Sequence, residues 1–169
     1  MEKGKAAFRP FVPEDAASLA RHADNINIWN NTRDYLPHPY TGRDAEEFIA
    51  LASSASPMVN FAIDVDGRAV GAIGYVPLSD IQRISAEVGY WLGEEYWGRG
   101  IMSQVLADFT EYIFAETGII HLYANVFEDN AASMRVLEKA GFTPVGVMHR
   151  AAVKNGRVID LHYYEKLKG

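Results

Sequence analysis

Between Ile84 and Ile113 the hydrophobic pattern changes period, and the change falls on a Gly-Arg-Gly triplet. Residues 84–92 are mostly β-branched, aromatic or small, and they alternate. Ser85, Glu87, Gly89 and Trp91 share one side, while Ile84, Ala86, Val88, Tyr90 and Leu92 share the other, as in a strand. From Met102 onward, Met102, Leu106, Phe109 and Ile113 recur at helical spacing. Gly98-Arg99-Gly100 sits at the junction. Two glycines let the backbone approach a ligand with no Cβ in the way. A helix starting there offers unpaired N–H groups and a positive dipole end, which suit a phosphate or pyrophosphate. The triplet alone fits a plain strand-to-helix turn equally well. A dinucleotide-binding G-x-G-x-x-G fails at Ser103, and no Gly-Lys-Ser/Thr follows as a P-loop requires.

A chain of 169 residues is long enough for one domain with a real core, expected over 1–169. Its net charge of −6 and the absence of a dense basic cluster argue against a nucleic-acid partner, while an acidic surface suits a basic peptide or polyamine. With no cysteine there is neither a disulfide framework nor a thiol nucleophile. The five histidines lack metal-ligand spacing, so no metal is expected. The N-terminal M-E-K-G-K-A-A-F lacks a signal peptide's apolar core, and no apolar run approaches the roughly 20 residues of a membrane span. The expectation is a cytoplasmic enzyme with no membrane partner.

The remaining elements read in order. Residues 6–11 form a short strand that Pro10 pushes to a sheet edge. Pro13-Glu14-Asp15 opens a helix to about Ala23, with Ala16, Leu19 and Ala20 on its apolar side. Asn25 to Tyr40 carries Trp29 and the run Tyr35-Leu36-Pro37-His38-Pro39-Tyr40, where two prolines preclude regular structure. It is either a binding-site wall or a packed connector. Thr41 caps a second helix, with Phe48, Ile49 and Leu51 on its buried stripe, ending near Ser54. Strands at 59–65 and 69–76 flank an Asp66-Gly67 turn, and Gly71 and Gly74 weaken the second unless something approaches its backbone. After a helix ending at Gly118 come strand 120–127, a helix capped by Asp129 or Asn130 and stopped at Gly141, and a long hairpin turning at Asn155-Gly156. Strands interrupted by helices imply an α/β or α+β fold, a mixed sheet with helices on both faces.

E-Y-W-G-R-G-I at 95–101 resembles the acyl-CoA pyrophosphate loop of the GNAT N-acetyltransferases, Gln/Arg-x-x-Gly-x-Gly/Ala, with Glu95 as a departure at the first position. That loop holds phosphate mainly through backbone donors, so an acid turned to solvent costs attraction without abolishing binding. N-V-F-E-D-N-A-A-S at 125–133, followed by V-L-E-K-A-G-F at 136–142, is similar to the second signature of that family. With P-H-P-Y-T and A-E-V-G-Y-W-L, the chain resembles the RimJ/RimL branch, which acetylates protein N-termini, over Phe8 to about Leu167. The resemblance implies a mostly antiparallel sheet of about seven strands whose central pair, 84–92 and 120–127, splays around the pantetheine arm of acetyl-CoA. The backbone of Tyr90, Trp91, Leu92 and Gly93 would bond that arm, and the amides of Gly98, Arg99, Gly100, Ile101 and Met102 the pyrophosphate. Asn125, Asn130 and Ser133 complete the cofactor-binding set; Asn130 also suits a helix cap, and Ser133 matches the family position near the thioester sulfur.

Direct transfer to an amine needs a neutral nucleophile, a polarised carbonyl and a proton source for the thiolate. Some branches carry a glutamate where this chain has Asn125, and a tyrosine where it has Leu137. Glu87 is then the catalytic-base candidate, unless it is only an exposed or ion-paired strand carboxylate. Ser133 is the acid candidate, unless it only packs or caps. Tyr90 and Tyr164 are weaker alternates. Trp29, Tyr35, His38, Tyr40 and Tyr164 are candidates for the acceptor site. The last strand sets Ile159, Leu161, Tyr163 and Leu167 on an apolar side, against Val158, Asp160, His162, Tyr164 and Lys166, a side that lines the acceptor site or meets solvent. The acceptor is a peptide N-terminus or a small amine (polyamine, aminoglycoside or amino-acid-like), and a non-catalytic acyl-CoA sensor is the third reading. Exposed aromatics and the C-terminal hairpin offer a surface for a homodimer.

Overall fold

The computed structural model describes residues 6–169; Met1–Lys5, the start of the N-terminal stretch read above, lie outside the described residues. The elements are β1 (Ala6–Arg9), a 3-10 turn (Pro13–Asp15), α1 (Ala16–Ala23), α2 (Ile26–Trp29), α3 (Gly42–Ser54), β2 (Asn60–Val65), β3 (Arg68–Pro77) and a 3-10 turn (Asp80–Gln82). They continue with β4 (Ser85–Leu92), a 3-10 turn (Glu94–Tyr96), α4 (Ile101–Glu116), β5 (His121–Phe127), α5 (Ala131–Lys139), β6 (Thr143–Lys154) and β7 (Arg157–Leu167). The described strands make a seven-stranded sheet in the order β1-β2-β3-β4-β5-β7-β6. β1–β2, β2–β3, β5–β7 and β6–β7 pair antiparallel, whereas β4–β5 pairs parallel.

The chain divides into two compact units, one holding the residues up to Gly74 with Tyr90–Ile101, the other Tyr75–Gly89 with Met102–Gly169. In the first, Leu19, Ala23, Tyr40, Ala45, Ile49, Ala52, Ala62 and Ala69 share a core with Phe11, and Trp91 and Phe48 pack on it. Arg9 forks between Asp15 (2.8 Å) and Asp64 (2.7 Å), tying β1 to the turn before α1 and to β2. Thr41 caps α3 with Asp44 in a reciprocal capping box, as expected of a Thr ahead of an amphipathic run. The buried stripe of α3 is Ala45, Ile49 and Ala52, and Leu51 is 72% exposed. That corrects the expectation for Leu51: at 100° per residue it stands some 200° around the helix from Ile49. Asn25 accepts from the Asn27 amide and caps the single turn of α2, which the asparagine-rich composition concealed.

In the second unit the ladder between β4 and β5 registers Ser85↔His121, Ala86↔Leu122 and Glu87↔Tyr123, although β5 runs on to Phe127. Leu122, Ala124 and Val126 are buried and alternate with half-buried His121, Tyr123, Asn125 and Phe127. β7 keeps the expected sides at its start, with Ile159 buried and Val158 exposed, and reverses them toward its end. Tyr164 is 4% exposed and donates its hydroxyl to Glu138 on α5 (3.3 Å), while Lys166 reaches Thr110 (2.8 Å) and Glu111 (3.1 Å) on α4. Their long apolar bodies cover the helices while the polar tips find partners. Leu167 is exposed, and Tyr163 lies on the opposite side, with Tyr123.

Gly71 and Gly74 are close-approach sites. A Cβ on Gly71 would fall on the carbonyl oxygen of Trp91, and one on Gly74 would sit 2.8 Å from the Val59 carbonyl oxygen. Backbone cannot step aside as a side-chain tip can. Gly71→Ala is therefore expected to destabilise the protein by about 1–3 kcal/mol or more in urea unfolding, as overpacking does. Gly42→Ala, at the open start of α3, should be neutral or stabilising by roughly 0.5–1 kcal/mol.

Candidate functional site

The glycine triplet folds as a cradle. Gly98 and Gly100 have φ of 72° and 76°, a region that residues with a Cβ adopt only at a cost, and nothing stands within 4 Å of where either Cβ would be. α4 begins at Ile101, so the first amides of a 16-residue helix have no intrahelical acceptor and sit at the positive end of its dipole. Open backbone beside free amides is what a diphosphate needs. The residues present therefore fit the pyrophosphate of acetyl-CoA.

The loop ahead of the cradle is pinned on several sides. Trp97 Nε1 donates to the Leu92 carbonyl (2.7 Å), the Gly93 amide to Val70 (2.8 Å), and Arg99 Nη2 to the Glu95 carbonyl (2.6 Å), with the Arg99 guanidinium 5.3 Å from the Tyr96 ring centroid. Two groups of the expected Tyr90–Gly93 pantetheine set, the Leu92 carbonyl and the Gly93 amide, are thus committed within the protein. Glu95 is not simply turned to solvent: its carboxylate meets Arg21 (3.3 Å), which offsets its charge beside the loop, and His22 Nδ1 (3.4 Å) on α1. Glu94 accepts from Asn25 (2.6 Å) and Asn27 (3.0 Å). These two acids join the loop to α1 and to the start of α2.

The proposed aromatic wall separates into three fates. Trp29 and His38 stack at 5.5 Å, and His38 Nδ1 lies 3.9 Å from Asp24. Tyr40 enters the core, where burial pushes its phenol up to about 12, and its amide donates to Asp24 (3.0 Å). Tyr35 is 94% exposed. Tyr164 faces α5, its phenol raised mainly by burial, and is structural there.

In the second unit, Asn130 accepts from the Ser133 amide (3.1 Å) and caps α5, placing Asn130 and Ser133 together at one helix start. Glu87 is half-buried on β4. A cavity of ≈ 270 Å³ is lined by Gln82, Ser85, His121, Asn125, Met148, Tyr163 and Tyr123, the last registered with Glu87 across β4 and β5. Within it runs a relay that sequence reasoning missed: Ser85 Oγ to His121 Nδ1 (3.0 Å), and His121 Nε2 to Glu165 (3.1 Å). Tyr123 and Tyr163 stack at 5.2 Å. Burial, then Tyr123, Glu165 and Glu87, push the Tyr163 phenol up, so it remains an O–H donor at neutral pH. The signal that could have located this face is the period-2 pattern of β5, with His121, Tyr123, Asn125 and Phe127 opposite Leu122, Ala124 and Val126.

Residues 6–143 match the family model described as an acetyltransferase (GNAT) domain. The chain is 33% identical to the probable N-acetyltransferase YjcK of Bacillus subtilis over 92% of this chain and 91% of that protein. It is 28% identical to the ribosomal-protein-serine acetyltransferase of Escherichia coli, over 63% of this chain and 59% of that one. Coverage of other curated relatives ranges widely, with 55% of one and 93% of another spanned. The solved structure of RimL, a ribosomal L7/L12 α-N-protein acetyltransferase in complex with coenzyme A, superposes with a TM-score of 0.83 at 21% identity, covering 95% of this chain and 92% of that one.

Under the phosphate loop, burial holds the His22 imidazole below its ordinary 6.5, with Glu95 opposing and Arg21 reinforcing. The folded protein then binds that proton more weakly than the unfolded chain, so this contribution to stability is present above pH 6.5 and lost as pH falls below it. Tm is expected to drop less between pH 7.5 and 5.5 in His22→Gln than in the wild type; an identical drop would remove His22 from the pH response. The chain belongs to the GNAT acetyltransferase family and is an acetyl-CoA-dependent N-acetyltransferase.

Proposed function

We propose that residues 1–169 act as a single acetyltransferase domain that acetylates the α-amine of a protein or peptide N-terminus. The observation that carries this reading is the base available. Glu87 is the carboxylate we assign, half-buried on the last registered pair of β4 and β5, close enough to Tyr163 to raise its phenol. An α-amine with pKa ≈ 7.7–8 is already about a tenth neutral at pH 7, whereas a lysine-type amine at ≈ 10.4 is neutral about once in two thousand. One carboxylate suffices for the first far better than for the second. The names of the Escherichia coli relative and of RimL, both ribosomal-protein acetyltransferases, support the same acceptor class.

In this reading the Gly98–Met102 amides hold the diphosphate, and Tyr90, Trp91, Asn130 and Ser133 line the pantetheine arm. Acetyl-CoA supplies the acetyl group as an activated thioester. Glu87 takes the proton of the acceptor ammonium, directly or through water, and Ser133 hydrogen-bonds the departing thiolate. Orientation of the two reactants can supply several kcal/mol, up to ~7–11 in well-ordered sites. The acidic surface, net −6, favours a basic ribosomal-protein peptide over a nucleic acid. Among the described residues no helix is long and apolar enough to cross a membrane; in this proposal the protein works in the cytoplasm, where ribosomal proteins would meet it.

Two measurements test this. A mass-shift screen for acetylation, with ribosomal-protein N-terminal peptides beside spermidine and an aminoglycoside, is expected to show turnover first on the peptides; turnover on a small amine alone would overturn the acceptor class, and cofactor binding without any turnover would overturn the catalytic role. Glu87→Gln should lower kcat/KM by about 10²-fold at pH 6.5 and by less than about tenfold at pH 9, where the free amine no longer needs a base. A pH–rate profile parallel to the wild type would exclude Glu87 as the base.

A further inference from the structure

The cavity of the second unit contains an unmet hydrogen-bond acceptor. Asn125 stands two residues beyond the last β4–β5 pair and opposite Tyr163 in the β5–β7 ladder. Its Oδ1 is buried and has no donor among the described residues. A buried polar atom left unpaired is costly, and folded proteins rarely keep one without a use. The His121 ring nitrogens meet Ser85 and Glu165, and neither Gln82 nor the Tyr163 hydroxyl, which line the same cavity, reaches Oδ1 in this structure. A molecule bound in the cavity can supply that donor.

The surroundings state what kind of molecule. No lysine or arginine lines the cavity; Lys166 of β7 turns to the other side, toward Thr110 and Glu111. Glu165 and Glu87 act on the cavity's Tyr163, and Tyr123 and Tyr163 present stacked aromatic rings. No carboxylate lines the cavity itself, but Glu165 backs its His121 at 3.1 Å, and with aromatic faces and an unpaired amide oxygen this suits a cation that carries N–H donors. The volume of ≈ 270 Å³ lies below the ~300–1,000 Å³ common for drug-sized ligands, which suits one amino-acid residue better than a multi-ring amine.

We propose that Asn125 Oδ1 is the docking acceptor for the acceptor's ammonium group, and that the cavity holds the acceptor's first residue against Met148 and Tyr123. This moves Asn125 from the cofactor side to the acceptor side, and it deepens the N-terminal reading above, on which it rests. Asn125 is a positioning residue here: it orients the amine, and Glu87 takes the proton.

The test separates binding from folding. Asn125→Leu removes the unmet acceptor at similar volume, so Tm should stay unchanged or rise and the Kd for coenzyme A by calorimetry should hold within twofold. KM for an N-terminal peptide should rise at least tenfold, with a smaller change in kcat. Asn125→Asp keeps an acceptor oxygen and should hold KM within about threefold. Equal KM changes in both variants, or a leucine variant with unchanged KM, overturn the proposal. Should the leucine variant not fold, the wild-type protein still decides: the Asn125 side-chain amide resonances are expected to shift on titration with glycinamide, and no shift overturns the assignment. If the wild type acetylates only a small amine, the N-terminal reading fails, and the KM of that amine in Asn125→Leu still reports whether Asn125 docks it.

Discussion

Beyond Glu87 and Tyr123, β4 and β5 register no further pairs among the described residues, while β5 continues to Phe127 and remains paired with β7 on its other edge. Backbone N–H and C=O groups cannot be left unpaired in a protein interior without cost. The edge of Ala124–Phe127 that looks toward β4 therefore requires solvent or a ligand with its own amides and carbonyls. In the proposed binding mode a pantetheine arm would carry such groups.

Binding through backbone makes side-chain identity secondary and loop rigidity primary. Where the resemblance suggested Gln or Arg, the loop carries Glu95, whose charge Arg21 offsets; in the proposed binding mode the phosphate-facing donors are main-chain amides. The same acid, with Glu94, fastens the loop to α1 and α2 through Arg21, His22, Asn25 and Asn27. Rigidity matters energetically, since a preorganised set of donors spends little on ordering when the anion arrives. A loop of flexible glycines would lose that advantage without the Trp97, Gly93 and Arg99 hydrogen bonds.

Local chemistry was legible in the sequence wherever a few adjacent residues decide the outcome. The period change at Gly98–Gly100, the Thr41 cap, the Asn130 cap and the turns at Asp66-Gly67 and Asn155-Gly156 all appear where pattern and turn preference place them; the turn residues have φ of 53°, 81°, 52° and 73°. What stayed hidden depends on partners remote in sequence. Tyr164 and Lys166 look polar in a one-dimensional count, yet α4 and α5 give their tips partners and bury their bodies. Tyr40 looks like a wall residue until its packing with α1 and α3 is known. The Ser85–His121–Glu165 relay joins three strands across 36 and 44 residues, and no local signal marks it.

Amide hydrogen exchange with and without coenzyme A addresses the central claim most directly, because it reads the backbone groups themselves. Added coenzyme A is expected to slow exchange in the 98–102 amides and in peptides covering 88–92 and 124–127, with α3 and the β6–β7 hairpin unchanged. Binding that leaves 98–102 and 124–127 exchanging at their free rates would contradict the account, whatever activity the protein displayed.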